Sequence, residues 1–422
     1  MIKHILLIFS LCVLLFSSCF ALPVNAALSW DFQTIETYAC SNGYGSAAII
    51  AVDSKGMPHI AYTDQSHPWD AVYASWNGSY WDKQIVAKNS FMLCFELDSE
   101  NNPHFLLYDD TVKYVHWSGE SWSTQNTGIH GTSFAFALDQ SGCPHIAFRD
   151  ADVLKYATIR GNTWRIQRLA TGTEIESISI AVNSKNQPYI LFTPSSHIDY
   201  STHTGTNSIT VRLAAYKNNA WNTQTISLPT PTGQIGNIVL DSTGAPHFVC
   251  TRQHFVSPED SKLITTILYA SLNGDTWATQ EIIGDIDNLL SIGQLVLDVY
   301  EAPQFTYLTP APDGETYSYY VNWTGAAWDS QMIPTVDGET ASGGLALDSN
   351  GTPHICSRDA SGMRFMAPVL YVTSTGTVDE PKNYQLIDPT IIATGLISII
   401  SLIIASVYIW RRKKRAHMEM PR

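Results

Sequence analysis

Histidine recurs in this 422-residue chain at a fixed place, six residues after an aspartate and one after a proline: Asp53 and His59, Asp98 and His104, Asp139 and His145, Asp241 and His247, Asp348 and His354. Imidazole beside carboxylate is a pairing suited to acid–base chemistry and to metal ligation. Repetition argues against both, because catalysis needs one asymmetric constellation, whereas a residue present in nearly every repeat serves the repeat. The expectation is a structural histidine that bonds within its own or the next sheet. A less regular set is Arg149, Arg252 and Arg358. Clustered guanidinium groups can hold a carboxylate through two parallel hydrogen bonds. With Tyr200 and Glu259 in reach they would form part of a glycan-hydrolysing site; the competing reading is rim salt bridges to Asp150, Asp359 and their neighbours. Asp109-Asp110 and Asp150-x-Asp152 offer hard oxygen ligands for calcium, but neither continues into a twelve-residue calcium loop. No phosphate-binding glycine loop, nucleophile elbow or His-Glu-x-x-His motif occurs, so no cofactor is expected.

These residues sit on a repeat. Asp or Asn followed five residues later by Pro occurs seven times, beginning at Asp53, Asp98, Asp139, Asn183, Asp241, Asp298 and Asp348, at spacings of 45, 41, 44, 58, 57 and 50. That period fits propeller blades of four short antiparallel strands. In the third copy, alternation predicts strands over 134–138, 144–148, 154–158 and 164–169. Proline falls at the start of the second strand, where a missing amide donor costs least. Glycine, or Asn101 and Asn186, supplies the hairpin's positive φ. A second phrase, Trp-x-x-Gln, marks the fourth strand six times, from Trp81 to Trp328. The seventh, Trp30 with Gln33, precedes the first Asp phrase, while the last repeat ends after its third strand at Val369-Leu-Tyr-Val-Thr373. The expected fold is therefore an all-β, seven-bladed propeller of four-stranded antiparallel blades, closed by the N-terminal strand completing the last blade. The repeated tryptophans are expected to pack between sheets.

In such a meander the 1–2 and 3–4 turns share one face of the ring, and the 2–3 and 4–1 connections share the other. The first set is tight and repetitive. The second varies, and variable loops on a rigid scaffold concentrate binding residues. Candidate ligand-binding residues there are His67, Trp69 and Asp70 in blade 1, Asp109 and Asp110 in blade 2, and Arg149, Asp150 and Asp152 in blade 3. Blade 4 adds His197 and Tyr200, blade 5 adds Arg252 and His254, and blade 7 adds Arg358 and Asp359. The loops of blades 4 and 5 are the longest and suit a cap or pocket wall.

Residues 1–26 read as a secretory signal, with Lys3, an apolar run from Ile5 to Phe20 and the small-residue site Val24-Asn25-Ala26. The propeller is placed at 27–375, a stalk at 376–388, a transmembrane helix at 389–410 and a basic cytoplasmic tail at 411–422. Ile391 to Trp410 carries no charge and Arg411-Arg412-Lys413-Lys414-Arg415 follows. The length suits one bilayer crossing with the tail inside, so the expected location is a cell membrane with the propeller outside. Residues 27–388 hold 17 Lys plus Arg against 37 Asp plus Glu, a net of −20. Such a surface repels nucleic acid and anionic lipid. The five cysteines left after signal removal, Cys40, Cys94, Cys143, Cys250 and Cys356, form no even framework and are expected mainly as isolated thiols. Asn77, Asn322 and Asn350 begin glycosylation sequons.

The phrases Asp-Ser-x-Gly-x-Pro-His-Ile and Gly-x-x-Trp resemble the repeats of sialidase-like propellers with BNR or Asp-box-type sequences, common in microbial surface proteins. The resemblance covers 28–374. The nearest copy of the family's Ser-x-Asp-x-Gly-x-x-Trp box, Ser271-Leu-Asn-Gly-Asp-Thr-Trp277, is one residue shorter with Asn for Asp. The family includes hydrolases, lyases, lectins and non-catalytic scaffolds, so the resemblance implies fold more than activity. The favoured expectation is a surface binding module for a glycan or surface-protein ligand. The alternatives are a membrane-tethered sialidase-like hydrolase or polysaccharide lyase, and a scaffold subunit of a surface complex.

Overall fold

The computed structural model describes residues 28–39, 48–64, 69–171, 175–194, 210–228, 232–257, 260–287, 289–310, 316–334, 343–357 and 367–374. The expected signal, stalk, transmembrane helix and basic tail lie outside the described residues. Among the described residues no helix is long and apolar enough to cross a membrane.

The chain forms a seven-bladed propeller. Blade 1 comprises Ala48–Val52, Pro58–Asp64, Asp70–Trp76 and Trp81–Ala87, and blade 2 comprises Phe91–Leu97, Pro103–Tyr108, Val112–Trp117 and Trp122–Asn126. Blade 3 runs through Thr132–Leu138, Pro144–Asp150, Val153–Arg160 and Thr163–Thr171, and blade 4 through Ile175–Val182, Pro188–Pro194, Val211–Lys217 and Ala220–Ile226. Blade 5 takes Thr232–Leu240, Pro246–Ser257, Asp260–Asn273 and Thr276–Asp287. Blade 6 has a first strand split into Ser291–Ile292 and Val296–Leu297, then Pro303–Pro310, Thr316–Trp323 and Trp328–Ile333. Blade 7 contributes Gly343–Leu347, Pro353–Ser357 and Ala367–Ser374, and its fourth strand is the N-terminal Trp30–Ala39. Within every blade consecutive strands pair antiparallel.

The closing strand pairs Trp30 with Ser374, Phe32 with Val372 and Gln33 with Tyr371. The displaced Trp-x-x-Gln phrase thus supplies the missing edge. Ala39 adds a bridge to Asp64 of blade 1.

Seven apolar clusters fill the seven gaps between neighbouring blades. Ile50, Tyr62, Val369 and Tyr371 share the cluster that joins blade 7 to blade 1, so the ring seals between its last and first blades. The residue two after each phrase proline is fully buried in all blades: Ile60, Phe105, Ile146, Ile190, Phe248, Phe305 and Ile355 are each 0 % exposed. At roughly 25 cal/mol per Å² of apolar surface buried, this repeated position is a principal source of stability.

Each phrase builds its own turn. Asp53 Oδ1 accepts from the amides of Lys55 (2.8 Å) and Met57 (2.7 Å), and the other six copies repeat the i+4 contact. The left-handed residue that follows is glycine or asparagine as expected, except in blade 6, where Glu301 holds φ 65°. Its carboxylate accepts the Ser242 amide of blade 5 at 2.8 Å, which offsets the unfavourable backbone. The split first strand of blade 6 has a related cause. Asn237 of blade 5 bonds both the carbonyl (2.9 Å) and the amide (2.6 Å) of Leu295, replacing ladder bonds with a side chain.

Candidate functional site

On the turn face, each phrase histidine is the middle of a relay. Its Nε2 faces the phrase aspartate, and its Nδ1 shares a hydrogen bond with a strand-three tyrosine hydroxyl. His104 lies 3.2 Å from Asp98 and 2.6 Å from Tyr114, and His145 lies 3.4 Å from Asp139 and 2.6 Å from Tyr156. His247 lies 3.3 Å from Asp241 and 2.5 Å from Tyr269. His59 with Tyr73 and His354 with Tyr371 repeat the pattern, their aspartates standing off at 3.6 and 3.9 Å. Burial lowers His59, His104, His145 and His354 below the ordinary imidazole value, although the paired aspartate opposes it. The neutral ring is therefore the folded form. In blade 6 Gln304 fills the same place, its amide nitrogen 3.4 Å from Asp298 and its carbonyl accepting from Tyr320.

The tyrosine of each relay also carries the neighbouring blade. Trp122 meets Tyr73 edge-on at 6.0 Å, Trp164 meets Tyr114 at 5.6 Å and Trp221 meets Tyr156 at 5.0 Å. Trp328 meets Tyr269 at 5.5 Å, Trp30 meets Tyr320 at 5.6 Å and Trp81 meets Tyr371 at 5.3 Å. Aspartate, histidine, tyrosine and the next tryptophan are thus one chain of contacts from turn to blade interface. Two of the tryptophans donate to the phrase glutamine of the preceding blade, Trp81 to Gln33 (2.9 Å) and Trp221 to Gln167 (3.0 Å).

Among the described residues the opposite face is less uniform. Trp69 holds φ 59°, is 38 % exposed, and packs on Phe91 at 4.9 Å between ring centres. Phe91 pairs across the strands with Tyr108, itself 38 % exposed. Trp69 and Phe91 pack together at the junction of blades 1 and 2, Tyr108 stands opposite Phe91 on the neighbouring strand, and Asp109 and Asp110 follow it in the chain. Asp109 pairs with Lys113, and Asp110 is exposed at φ 88°. Asp70 is buried and accepts the Asn89 amide at 3.1 Å, bracing the connection that presents Trp69.

The arginines take separate local partners. Arg149 donates to Thr132 Oγ1 (3.1 Å) and, across the gap, to the Ile175 carbonyl of blade 4 (2.8 Å). Arg252 donates to Glu281 at 3.1 Å. Arg149 lies five residues after its phrase proline and Arg252 six after its own, so a period of two directs them to opposite sheet faces. Asp150 pairs with Lys155 rather than Arg149, and Asp152 is exposed. His254 lies on the long second strand of blade 5. His67, His197, Tyr200, Glu259, Arg358 and Asp359 lie outside the described residues. Phe91 and Tyr108 escape sequence reasoning because each reads as an ordinary strand residue. The available signal was an aromatic at the place that Thr63, Thr193 and Thr251 occupy in other blades. Cys94, Cys143, Cys250 and Cys356 carry free thiols, and burial pushes Cys94, Cys250 and Cys356 up to about 12.

No family model and no curated protein matches the chain. Solved structures do. An ulvan lyase of polysaccharide lyase family PL25, bound to -[GlcA(1-4)Rha3S]-, superposes with a TM-score of 0.51 at 12 % identity over 81 % of this chain and 95 % of that one. The β-propeller domain of the Trilobed protease from Pyrococcus furiosus, described as having an open velcro topology, gives 0.50 at 8 % identity over 82 % and 100 %. At these identities the likeness is one of fold.

Proposed function

We propose that the chain is a membrane-anchored, extracellular glycan-binding module of sialidase-like type. The observation that carries this reading is an aromatic shelf built on the exposed Trp69 against Phe91, with the exposed Tyr108 as Phe91's cross-strand partner and Asp109 and Asp110 next in the chain. An apolar sugar face stacks on aromatic rings while carboxylates accept hydroxyl hydrogen bonds, a division of labour usual in ligand sites. The acidic surface favours an uncharged glycan. The ulvan lyase is bound to -[GlcA(1-4)Rha3S]-, which supports a glycan as ligand here. The uncharged run 391–410 with its basic flank supports display at a cell surface.

A glycan array probed with the purified full chain in detergent, with product analysis of each hit, tests the proposal. Binding of a neutral glycan without turnover, weakened at least about tenfold by Trp69→Ala, is expected. Binding unchanged in that variant overturns the shelf, and released oligosaccharide products would replace binding with catalysis.

A further inference from the structure

The third blade carries on its turn face something no other blade has. The residue four after the phrase aspartate is Met57, Asn102, Gln187, Ala245, Ala302 and Thr352 in the other blades, and Cys143 here. The side-chain donors of Asp139, Cys143 and His145 lie within 4.8 Å of one another. Asp139 Oδ1 is occupied by the Ser141 and Cys143 amides and the Ser141 hydroxyl, whereas Oδ2 faces His145 Nε2 at 3.4 Å, the long end of a hydrogen bond. His145 Nδ1 is held by Tyr156 at 2.6 Å, the outer contact that orients a metal-bound imidazole. The Cys143 sulfur hydrogen-bonds with Thr158 Oγ1 and the Ile159 carbonyl, each at 3.6 Å. A cleft of about 630 Å³ between blades 3 and 4 opens onto these donors, with Arg160, Arg165 and Tyr216 on its walls.

We propose that Asp139, Cys143 and His145 form a three-ligand site for a divalent cation of the zinc class, its remaining coordination position facing the cleft. Thiolate, imidazole and carboxylate in one set suit zinc rather than calcium or magnesium. The thiol must release its proton to solvent as the ion binds.

Cobalt(II) titration of the full chain under reducing conditions tests this. One equivalent should bind with a near-ultraviolet thiolate-to-cobalt charge-transfer band and one proton released per ion, and zinc should displace it. Cys143→Ala should abolish the band and weaken zinc at least tenfold; alanine occupies the same place in blades 5 and 6, so the variant folds. Ala245→Cys should add a second equivalent beside Asp241 and His247. No thiolate band in the parent chain, or a band that survives Cys143→Ala, overturns the site.

Discussion

Blades 2 and 6 perform the same structural task with different chemistry. In blade 2 a histidine joins Asp98 to Tyr114, and in blade 6 a glutamine joins Asp298 to Tyr320. Glutamine has a donor and an acceptor at the right separation but no titratable proton. Its success in blade 6 shows what the other five blades need from histidine, which is a two-ended bridge between a turn and a strand-three hydroxyl. Proton transfer plays no part in that role. The same tyrosine then supports the next blade's tryptophan, so the turn face is a framework. The loop face, where equivalent positions hold Tyr108, Arg149 and Thr251, is free to specialise.

The largest disruption of this framework comes from its seam. Deleting Leu28 to Glu36 removes the strand paired with Ala367–Ser374 and opens an edge. The chain is expected to lose its cooperative thermal transition or to self-associate, read by calorimetry and sedimentation; an unchanged monomer would break the closure. Trp122→Ala should cost about 2–3 kcal/mol in urea unfolding, below the range for fully buried aromatics cut to alanine because the indole is only partly buried.

Smaller effects sharpen the comparison of the two bridges. His104→Ala leaves Asp98 and Tyr114 without their shared partner and should cost about 1–3 kcal/mol, whereas His104→Gln should cost less than half as much. Equal losses would mean that the imidazole ring itself is needed. The bridges also differ in pH response. His59, His104, His145 and His354 are lowered by burial, so the folded state favours the neutral form. Their contribution is full above the unfolded value of about 6.5 and is lost as the pH falls below it. Unfolding midpoints should drop between pH 7 and 5, and less steeply after His104→Gln. The aspartates act later. Burial raises Asp98, but hydrogen bonds from Asn102, His104 and Glu100 outweigh it, so its share persists until the pH falls below about 4.

A different response is expected of Glu96, an acid on the first strand of blade 2 where the other blades have Ala51, Ala137, Ala181, Val239, Val296 and Ala346. Burial pushes it up to about 7. Because the folded value is raised, its favourable contribution is present at low pH and disappears as the pH rises through 7. Glu96→Gln should therefore stabilise the chain at pH 8 relative to the parent, an advantage that shrinks by pH 5.

The blade count, the strand order, the closing strand and the structural nature of the repeated histidines are all legible in the amino-acid sequence. Each is written five to seven times, or is made visible by its one displacement, as with Trp30 and Gln33. The short extensions of the third-blade strands to Thr132–Leu138 and Thr163–Thr171 escape the pattern because ladder pairing continues past the alternating core residues. What occurs once is not legible in the same way. That Arg149 staples blade 3 to blade 4 while Arg252 turns to Glu281 depends on a one-residue offset along pleated strands. That Phe91 lies against Trp69, and that the Cys143 sulfur stands beside Asp139 and His145, depends on distances set by the packing of whole blades. Sequence by itself determines what every blade shares, since repetition averages over context. Tertiary structure decides what one blade does alone, because a single side chain's partners come from neighbouring elements that no local pattern encodes.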